Sequence, residues 1–399
     1  MIKVAVMGYG TIGSGVVEII EKNNKELVSR IGDDIEVKAV LDLREFEGDP
    51  IQSKIVHDYK AIAEDPEISI VVETMGGVEP AFTFVKAMLE AGKGVCTSNK
   101  ALVADKGAEL FEIAKANNVS FLYEASVGGG IPIIRPIYNA LTAEVIEEIS
   151  GILNGTTNFM LTKMSENGSD YADVLKEAQD LGYAEKDPTA DVEGFDPCRK
   201  IAILTSLVAG KTVDFNEIPT EGISKITADD IKYAKALDSA IKLVASSYKL
   251  GDSYTCMVAP YIVPKSHPLY QVNDVFNAVF VKGNMLGDSM FYGSGAGKLP
   301  TASAVVADVV DIAKNLGKTI PMSWTGEKLV LADKASLQNA FFVRTKASKA
   351  DVEKTFGAVT YVDAAIAGEI AFTTSVMSES DFETKIAALN DVIKFIRIK

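Results

Sequence analysis

The stretch VAVMGYGTIGSGV, residues 4–16, decides the fold. An apolar run stops at Gly8, and Gly8-x-Gly10-x-x-Gly13 leads straight into a helical pattern. Each glycine meets a separate demand. Gly8 allows the tight turn, Gly10 lets the backbone approach a pyrophosphate, and Gly13 lets helix and strand pack closely. The helix N-terminus at Thr11 and Ile12 supplies N–H groups to an anion. The triplet by itself also fits a merely structural turn. Its place, after a strand and at the head of a strand–helix alternation, is the context that dinucleotide binding requires.

Outward from this turn, KVAVMG, EVKAVLD, SIVVETMG, KGVCTS and VSFLYEAS read as buried strands, with TIGSGVVEIIEKNN and KGAELFEIAKANN as helices. The alternation predicts an α/β, Rossmann-type parallel sheet over residues 1–130. The second strand ends at Asp42, whose carboxylate suits ribose hydroxyls and repels a 2′-phosphate, which favours NAD; Arg44, two residues on, is placed to meet a phosphate. Thr74 in ETMGG, and Ser98 and Lys100 in CTSNKALV, follow strands and fall at the carboxyl edge of the sheet, where ligands bind. A lone loop lysine such as Lys100 is usually a solvated surface charge.

The pattern changes at about residue 131. IEEISGILNGTTNFMLTKM predicts a strand, a turn and a helix; helices follow to about 245, then SYTCMVAPYIVP and NAVFVKGNMLGDSMFYG read as β structure. This predicts a mixed α+β domain over 131–300. TASAVVADVVDIAKNLG is a long apolar helix expected to pack back on the first domain, which then comprises 1–130 and about 301–319. Residues 320–338, with the lone Trp324, read as a connection. AFFVRT, ADVEKTFG, AVTYVDA, EIAFTTSV, DFETKIAAL and VIKFIRIK then predict a ferredoxin-like βαββαβ domain over 320–399.

The 399 residues carry a net charge of −15, which argues against nucleic acid and anionic membrane as partners. No apolar run approaches the roughly 20 residues that span a bilayer, and the N-terminus reads as a strand, not a signal peptide. Three scattered cysteines, Cys96, Cys198 and Cys256, argue against a disulfide framework or zinc site and predict a cytoplasmic protein. With only His57 and His267 present, histidine is a poor first choice of catalytic base.

Chemistry concentrates in LGYAEKDPTADVEGFDPCRK, residues 181–200. Glu185, Asp187, Asp191, Glu193 and Asp196 precede Lys200. Asp196 reads as a helix N-cap with Pro197 in the first turn. Lys200 then sits one turn in, where the helix dipole disfavours a cation and makes it a better acid. The acidic run is either a solvated loop or a pocket for an ammonium group, with Lys200 as proton donor. Two further Gly-rich loops stand out. YEASVGGGIPIIRP is a hinge, a carbonyl cation site or a plain loop, and composition alone favours the hinge. GSGAGKLPTASAVV, with Gly297 before a helix, is suited to approach an anion or a nicotinamide.

Taken together, GYGTIGSGV, TSNKALVA, YEASVGGGIPII, GILNGTTNFML, LGYAEKDPTADVEGFDPCRKIAIL and GSGAGKLPTASAVVADVV resemble homoserine dehydrogenases over roughly residues 1–317. That family reduces L-aspartate 4-semialdehyde to L-homoserine with NADH or NADPH, on the route to threonine, methionine and isoleucine. The resemblance implies Lys200 as proton donor to the aldehyde oxygen and Lys100 as a second lysine for cofactor and substrate. It implies Glu185 as the ligand of the substrate ammonium, with Asp191, Asp196, Tyr183, Gly155 and Thr156 completing the substrate site. Gly297 is implied as a cofactor contact. Carbonyls of Glu124, Val127, Gly129 and Ile131 match the family's Na+ site, and if only its carbonyl binds, Gly129 should tolerate a side chain. A homodimer or homotetramer is expected.

Three departures matter. Leu41 replaces the basic residue often found before the Asp, which leaves NAD or NADP open. Pro197 and Cys198 alter the turn ahead of Lys200. FVRTKASKADVE replaces the Asp-x-Pro-Gly ligand loop of an ACT-type domain, so the tail is expected to oligomerise rather than to bind threonine. Two rivals remain: a phosphorylating semialdehyde dehydrogenase, which needs an activated cysteine, and a non-catalytic dinucleotide sensor.

Overall fold

A computed structural model describes residues 1–363 and 366–399. Two compact units emerge: residues 1–144, 202–214 and 293–329 form the first, and 145–201, 215–292 and 330–399 the second.

Strands are numbered along the chain. The first unit holds β1 (Ile2–Met7), β2 (Ile35–Leu41), β3 (Ile55–Val56), β4 (Ile68–Glu73), β5 (Gly94–Thr97) and β6 (Phe121–Leu122) in the order β3-β2-β1-β4-β5-β6. Every neighbour pair is parallel. Val4, Ala5, Val6, Ile70, Val71, Val72 and Val95 are fully buried, as strands covered on both faces must be. The strand order reverses between β1 and β4, so the crevice of this sheet opens beyond Met7 and Glu73. The helix Lys298–Lys314 packs on the helix Thr11–Lys22: a Cβ at Gly15 would lie 3.0 Å from Ala302 Cβ. Trp324 is more than a connector residue. It is buried edge-on against Phe111 at 4.8 Å and Tyr123 at 5.5 Å. Close by in sequence, β13 (Thr325–Lys328) pairs in parallel with β8 (Lys211–Thr212).

The second unit is built on a long sheet of β7 (Ile146–Ile152), β9 (Ser239–Leu250), β10 (Ser253–Pro264), β11 (Phe276–Gly283), β12 (Gly287–Ser294), β14 (Gln338–Thr345), β15 (Thr360–Val362), β16 (Ile370–Thr373), β17 (Met377–Ser378) and β18 (Val392–Ile398). Its order is β12-β11-β7-β9-β10-β18-β14-β16-β15, with β17 beside β14. Helix was expected to about 245, yet β9 begins at Ser239. The apolar run from Ile241 to Ala245 is buried between strands, and burial outweighs the helix propensity of its Ala, Lys and Leu.

The tail runs β14, the helix Lys349–Phe356, β15, β16, β17, the helix Glu379–Ala388 and β18, one strand more than the βαββαβ pattern. Ala364, the last residue of the predicted strand AVTYVDA, lies outside the described residues. The tail does not form a sheet of its own. β18 pairs in parallel with β10 at Tyr261–Arg397 and Ile262–Ile398, so the two sheets are continuous. Arg397 is buried and donates to Glu379 Oε1 at 2.7 Å and Oε2 at 2.9 Å, and to Glu221 at 2.9 Å. Lys399 Nζ reaches Glu148 at 2.6 Å and Ser150 at 2.8 Å on β7. Among the described residues, no helix is long and apolar enough to cross a membrane.

Candidate active site

In the first unit, Gly8, Gly10, Asp42, Arg44 and Thr74 line one cleft of about 500 Å³ at the carboxyl edge of the sheet. Gly8 has φ +97°, and a Cβ on Gly13 would lie 1.8 Å from the Gly8 carbonyl oxygen, so only glycine closes this turn. Thr74 Oγ1 pins it by donating to Gly8 O at 2.9 Å. Thr11, Ile12 and Gly13 form the first turn of the helix Thr11–Lys22, with N–H groups available to an anion. A Cβ at Gly10 would meet nothing within 4 Å, which leaves room for a ligand to approach.

Asp42 and Arg44 are joined. Asp42 accepts from Arg44 Nε and Nη2 at 2.9 Å each and from Tyr9 N at 2.8 Å. The guanidinium holds the Asp42 carboxyl well below the usual range. His57, missed by sequence reasoning, also lines the cleft, with Nδ1 2.7 Å from the Asp42 carbonyl. That contact and Glu45 push its pKa up. Ser98 follows β5, and Lys100 opens the helix Lys100–Ala116, which Asn99 caps. Gly297, at φ +113°, precedes the helix Lys298–Lys314. Buried Glu73 ends β4 and accepts from Met75 N at 2.7 Å; burial pushes its pKa up.

The loop from Glu124 to Ile131 is tightly built. Glu124 is buried, and its carboxylate accepts from the backbone N–H groups of Ile133, Ile134 and Arg135 at 2.6–2.9 Å. The expectation that Gly129 tolerates a side chain is overturned. Its φ is +57°, and a Cβ there would lie 2.2 Å from Gly295 O.

In the second unit, Lys200, Asp196, Asp191 and Asn154 come together. Lys200 Nζ donates to Asp196 Oδ2 at 2.8 Å and to Leu153 O at 2.7 Å. Asn154 Nδ2 donates to Asp191 Oδ1 at 2.7 Å and to Asp196 Oδ2 at 3.0 Å. The expected N-cap role of Asp196 is corrected. The helix runs Phe195–Ala209 and its first bond is Cys198 N to Gly194 O, so Asp196 lies inside the first turn. Its carboxylate accepts from Lys200 and Asn154. Gly155 begins the helix Gly155–Asn167, where a Cβ would press to 2.8 Å from Val275 O. Thr156 Oγ1 donates to Tyr183 O at 2.6 Å, and the Tyr183 ring packs edge-on to Phe159. Glu185 is exposed, and its carbonyl accepts from Gln179 Nε2 at 3.1 Å.

Asn154 is the residue that sequence reasoning missed in this cluster. Its signal was an asparagine between a strand and a helical run, a position that favours N-caps. The cysteines disfavour a thiol mechanism: burial pushes the Cys96 and Cys198 thiols up, the reverse of an activated nucleophile.

A parallel sheet that ends in this glycine turn, with Asp42 closing the cleft after the second strand, and in the second unit a buried lysine paired with Asp196, fit one class: an NAD(P)-dependent oxidoreductase. Comparison with known proteins narrows it. The family profile "Homoserine dehydrogenase" matches residues 132–310, and "Homoserine dehydrogenase, NAD binding domain" matches residues 8–124. The homoserine dehydrogenase of Bacillus subtilis (strain 168) is 43% identical over 318 residues, covering 79% of this chain and 73% of that one. The Synechocystis enzyme is 45% identical over 319 residues, covering 78% and 73%. The crystal structure of a homoserine dehydrogenase from Thiobacillus denitrificans matches with a TM-score of 0.91 at 35% identity, over 100% of this chain and 98% of that one. A hyperthermophilic archaeal homoserine dehydrogenase solved with NADPH matches with a TM-score of 0.67 at 29% identity, over 78% and 97%. The chain belongs to the homoserine dehydrogenase family.

Proposed function

We propose that Lys200 is the general acid and base of the homoserine dehydrogenase reaction, exchanging a proton with the oxygen that is aldehyde on one side and alcohol on the other. One observation carries this: a buried lysine ammonium held at 2.8 Å from Asp196 Oδ2 and 2.7 Å from the Leu153 carbonyl, one helical turn beyond Asp196. Bound NAD(P)H supplies the hydride that the aldehyde carbon accepts. As negative charge grows on the aldehyde oxygen, Lys200 stabilises it and delivers the proton. Asp191 and Asp196 offer carboxylates to the substrate ammonium, and Gly155, Thr156 and Tyr183 form the adjoining wall. Glu185 takes the ammonium role implied by the family if its exposed loop folds onto bound substrate. Lys100, at the start of its own helix, is the second lysine for cofactor and substrate.

The Gly8–Gly13 turn takes the pyrophosphate, and Asp42 the adenosine ribose. The archaeal relative's NADPH supports NADP use here as well; exposed Arg44, with His57 beside it, is placed for a 2′-phosphate. Thr74, Ser98 and Gly297 complete the cofactor contacts. Na+ fits the loop of Glu124, Val127, Gly129 and Ile131. The bonds that close this loop use other carbonyls, with Ser126 N on Tyr123 O, Ile131 N on Gly128 O and Gly130 N on Ser294 O. Exposed Met290 and Tyr292 on edge strand β12 support a homodimer or homotetramer, and three buried cysteine thiols support a reducing cytoplasm. The ferredoxin-like tail, without the ACT ligand loop, serves assembly. Oxidation of L-homoserine at alkaline pH, followed at the nicotinamide absorbance with NAD and NADP side by side, tests the reaction. No turnover with either coenzyme, while cofactor still binds, would remove the assignment of Lys200.

A further inference from the structure

The segment LNGTTN carries two asparagines, and the reaction described above assigns neither a task. Asn154 is buried, and its two ends face different duties. Oδ1 accepts from Thr157 N at 2.9 Å and caps the helix Gly155–Asn167. Nδ2 faces two carboxylates, Asp191 Oδ1 at 2.7 Å and Asp196 Oδ2 at 3.0 Å. The same Asp196 oxygen accepts from Lys200 Nζ at 2.8 Å. One turn on, Asn158 Nδ2 donates to the carbonyls of Val272, Asp274 and Phe276 at 3.0–3.2 Å. Its Oδ1 accepts from buried Lys242 at 3.2 Å. The helix that presents Asn154 is thereby fixed.

We propose that Asn154 is the positioning residue of the proton-transfer site: its amide spans Asp191 and Asp196, keeps both as acceptors, and so sets the carboxylate against which Lys200 is aimed. This rests on the assignment of Lys200 as proton donor. The chemistry favours an amide. Two like charges brought together tend to share a proton. An amide NH2 has two donors and no proton to lose, so it bridges two carboxylates without neutralising either. A hydroxyl has one donor. A third carboxylate at this position would add repulsion.

Three variants test it: Asn154→Ser, Asn154→Asp and Lys200→Ala. Serine and aspartate both remain good N-caps, so the helix keeps its start. Asn154→Ser is expected to retain NADPH affinity and to lose about tenfold to a hundredfold in kcat/KM, the cost of one hydrogen bond to a charged group. The acidic limb of its pH–rate profile moves to higher pH, and that of Asn154→Asp moves further. A merely structural cap would leave that limb in place. Unchanged kcat/KM or an unmoved acidic limb in both folded variants overturns the inference. If Asn154→Ser does not fold, the profile of Asn154→Asp decides alone. An active Lys200→Ala instead overturns the reading on which the inference rests.

Discussion

Lys200 Nζ lies 2.8 Å from Asp196 Oδ2, one turn apart on one helix, with the two side chains only 10% and 5% exposed. Asp196 lies in the first turn of the helix, where an anion is favoured, and Lys200 follows one turn later. Asp196 offsets the cost of burying the ammonium. Lys200→Ala is therefore expected to fold, because Asn154 still donates to Asp196, and to bind coenzyme normally. Its kcat should fall by about 10²–10⁴, the range for loss of a general acid. Lys200→Arg should not restore it, since a guanidinium does not release a proton in this range. Steady-state kinetics beside a coenzyme fluorescence titration check this, and near-normal kcat in either variant would refute the role.

The Asp42–Arg44 pair gives a prediction for coenzyme choice. With Arg44 folded onto it, the Asp42 carboxylate is masked; a ribose diol must displace those contacts, whereas a 2′-phosphate would draw Arg44 away. Arg44 is 61% exposed and has room to swing. Asp42→Ala is expected to raise the NADP-to-NAD ratio of kcat/KM by about tenfold to a hundredfold, and Arg44→Ala to lower it by a similar factor. Kinetics with both coenzymes measure the ratio. If neither substitution moves it, the adenosine ribose lies elsewhere.

Gly129 is predicted to be intolerant of any side chain. A left-handed φ of +57° and a carbonyl 2.2 Å from the site of a Cβ act together. Gly129→Ala should cost about 2–5 kcal/mol, strain and overpacking combined. Gly168→Ala is the control: its φ is +68°, but a Cβ there meets nothing within 4 Å. It should cost about 1 kcal/mol, from backbone strain alone. Urea midpoints separate the two, and equal losses would show that the approach to Gly295 is unimportant.

Much of this was legible in the chain because local demands were strong. Buried parallel strands read as apolar runs, and the Gly8–Gly13 turn admits no other residue at Gly8 or Gly13. The Lys200 region was legible as a charge pattern, but its geometry was not. Asp196 has the letters of an N-cap, and only the fold shows that Gly194 starts the helix while Asp196 faces Lys200. Asn154 was hidden because an asparagine before a helix looks like a cap and nothing more. The two bridges of its amide run to residues about forty positions away, which no local pattern encodes. The join of β18 to β10 was invisible for the same reason: two parallel residue pairs leave no periodic trace.

Lys242 provides a prediction in pH. Its ammonium is buried and donates to Val272 O at 2.5 Å, Asn273 Oδ1 at 2.9 Å and Asn158 Oδ1 at 3.2 Å, all neutral acceptors. Burial pushes its pKa down to about 8, and the carboxylates of Asp274 and Glu166 oppose that only in part. In the unfolded chain a lysine titrates near pH ~10.4. Below about 8 both states hold the proton, and this group adds no slope. Between about 8 and ~10.4 the folded lysine has released a proton that the unfolded one keeps, so stability from this group rises with pH. The rise is bounded at about 1.4 kcal/mol per pH unit. Lys242→Met lacks the titration. The stability of the native chain relative to this variant is therefore expected to be flat from pH 6 to 8 and to climb from 8 toward 10, measured as the difference in urea unfolding free energy. A difference that stays flat across the whole range would mean that the ammonium keeps its proton in the fold and that its three oxygen acceptors outweigh its burial.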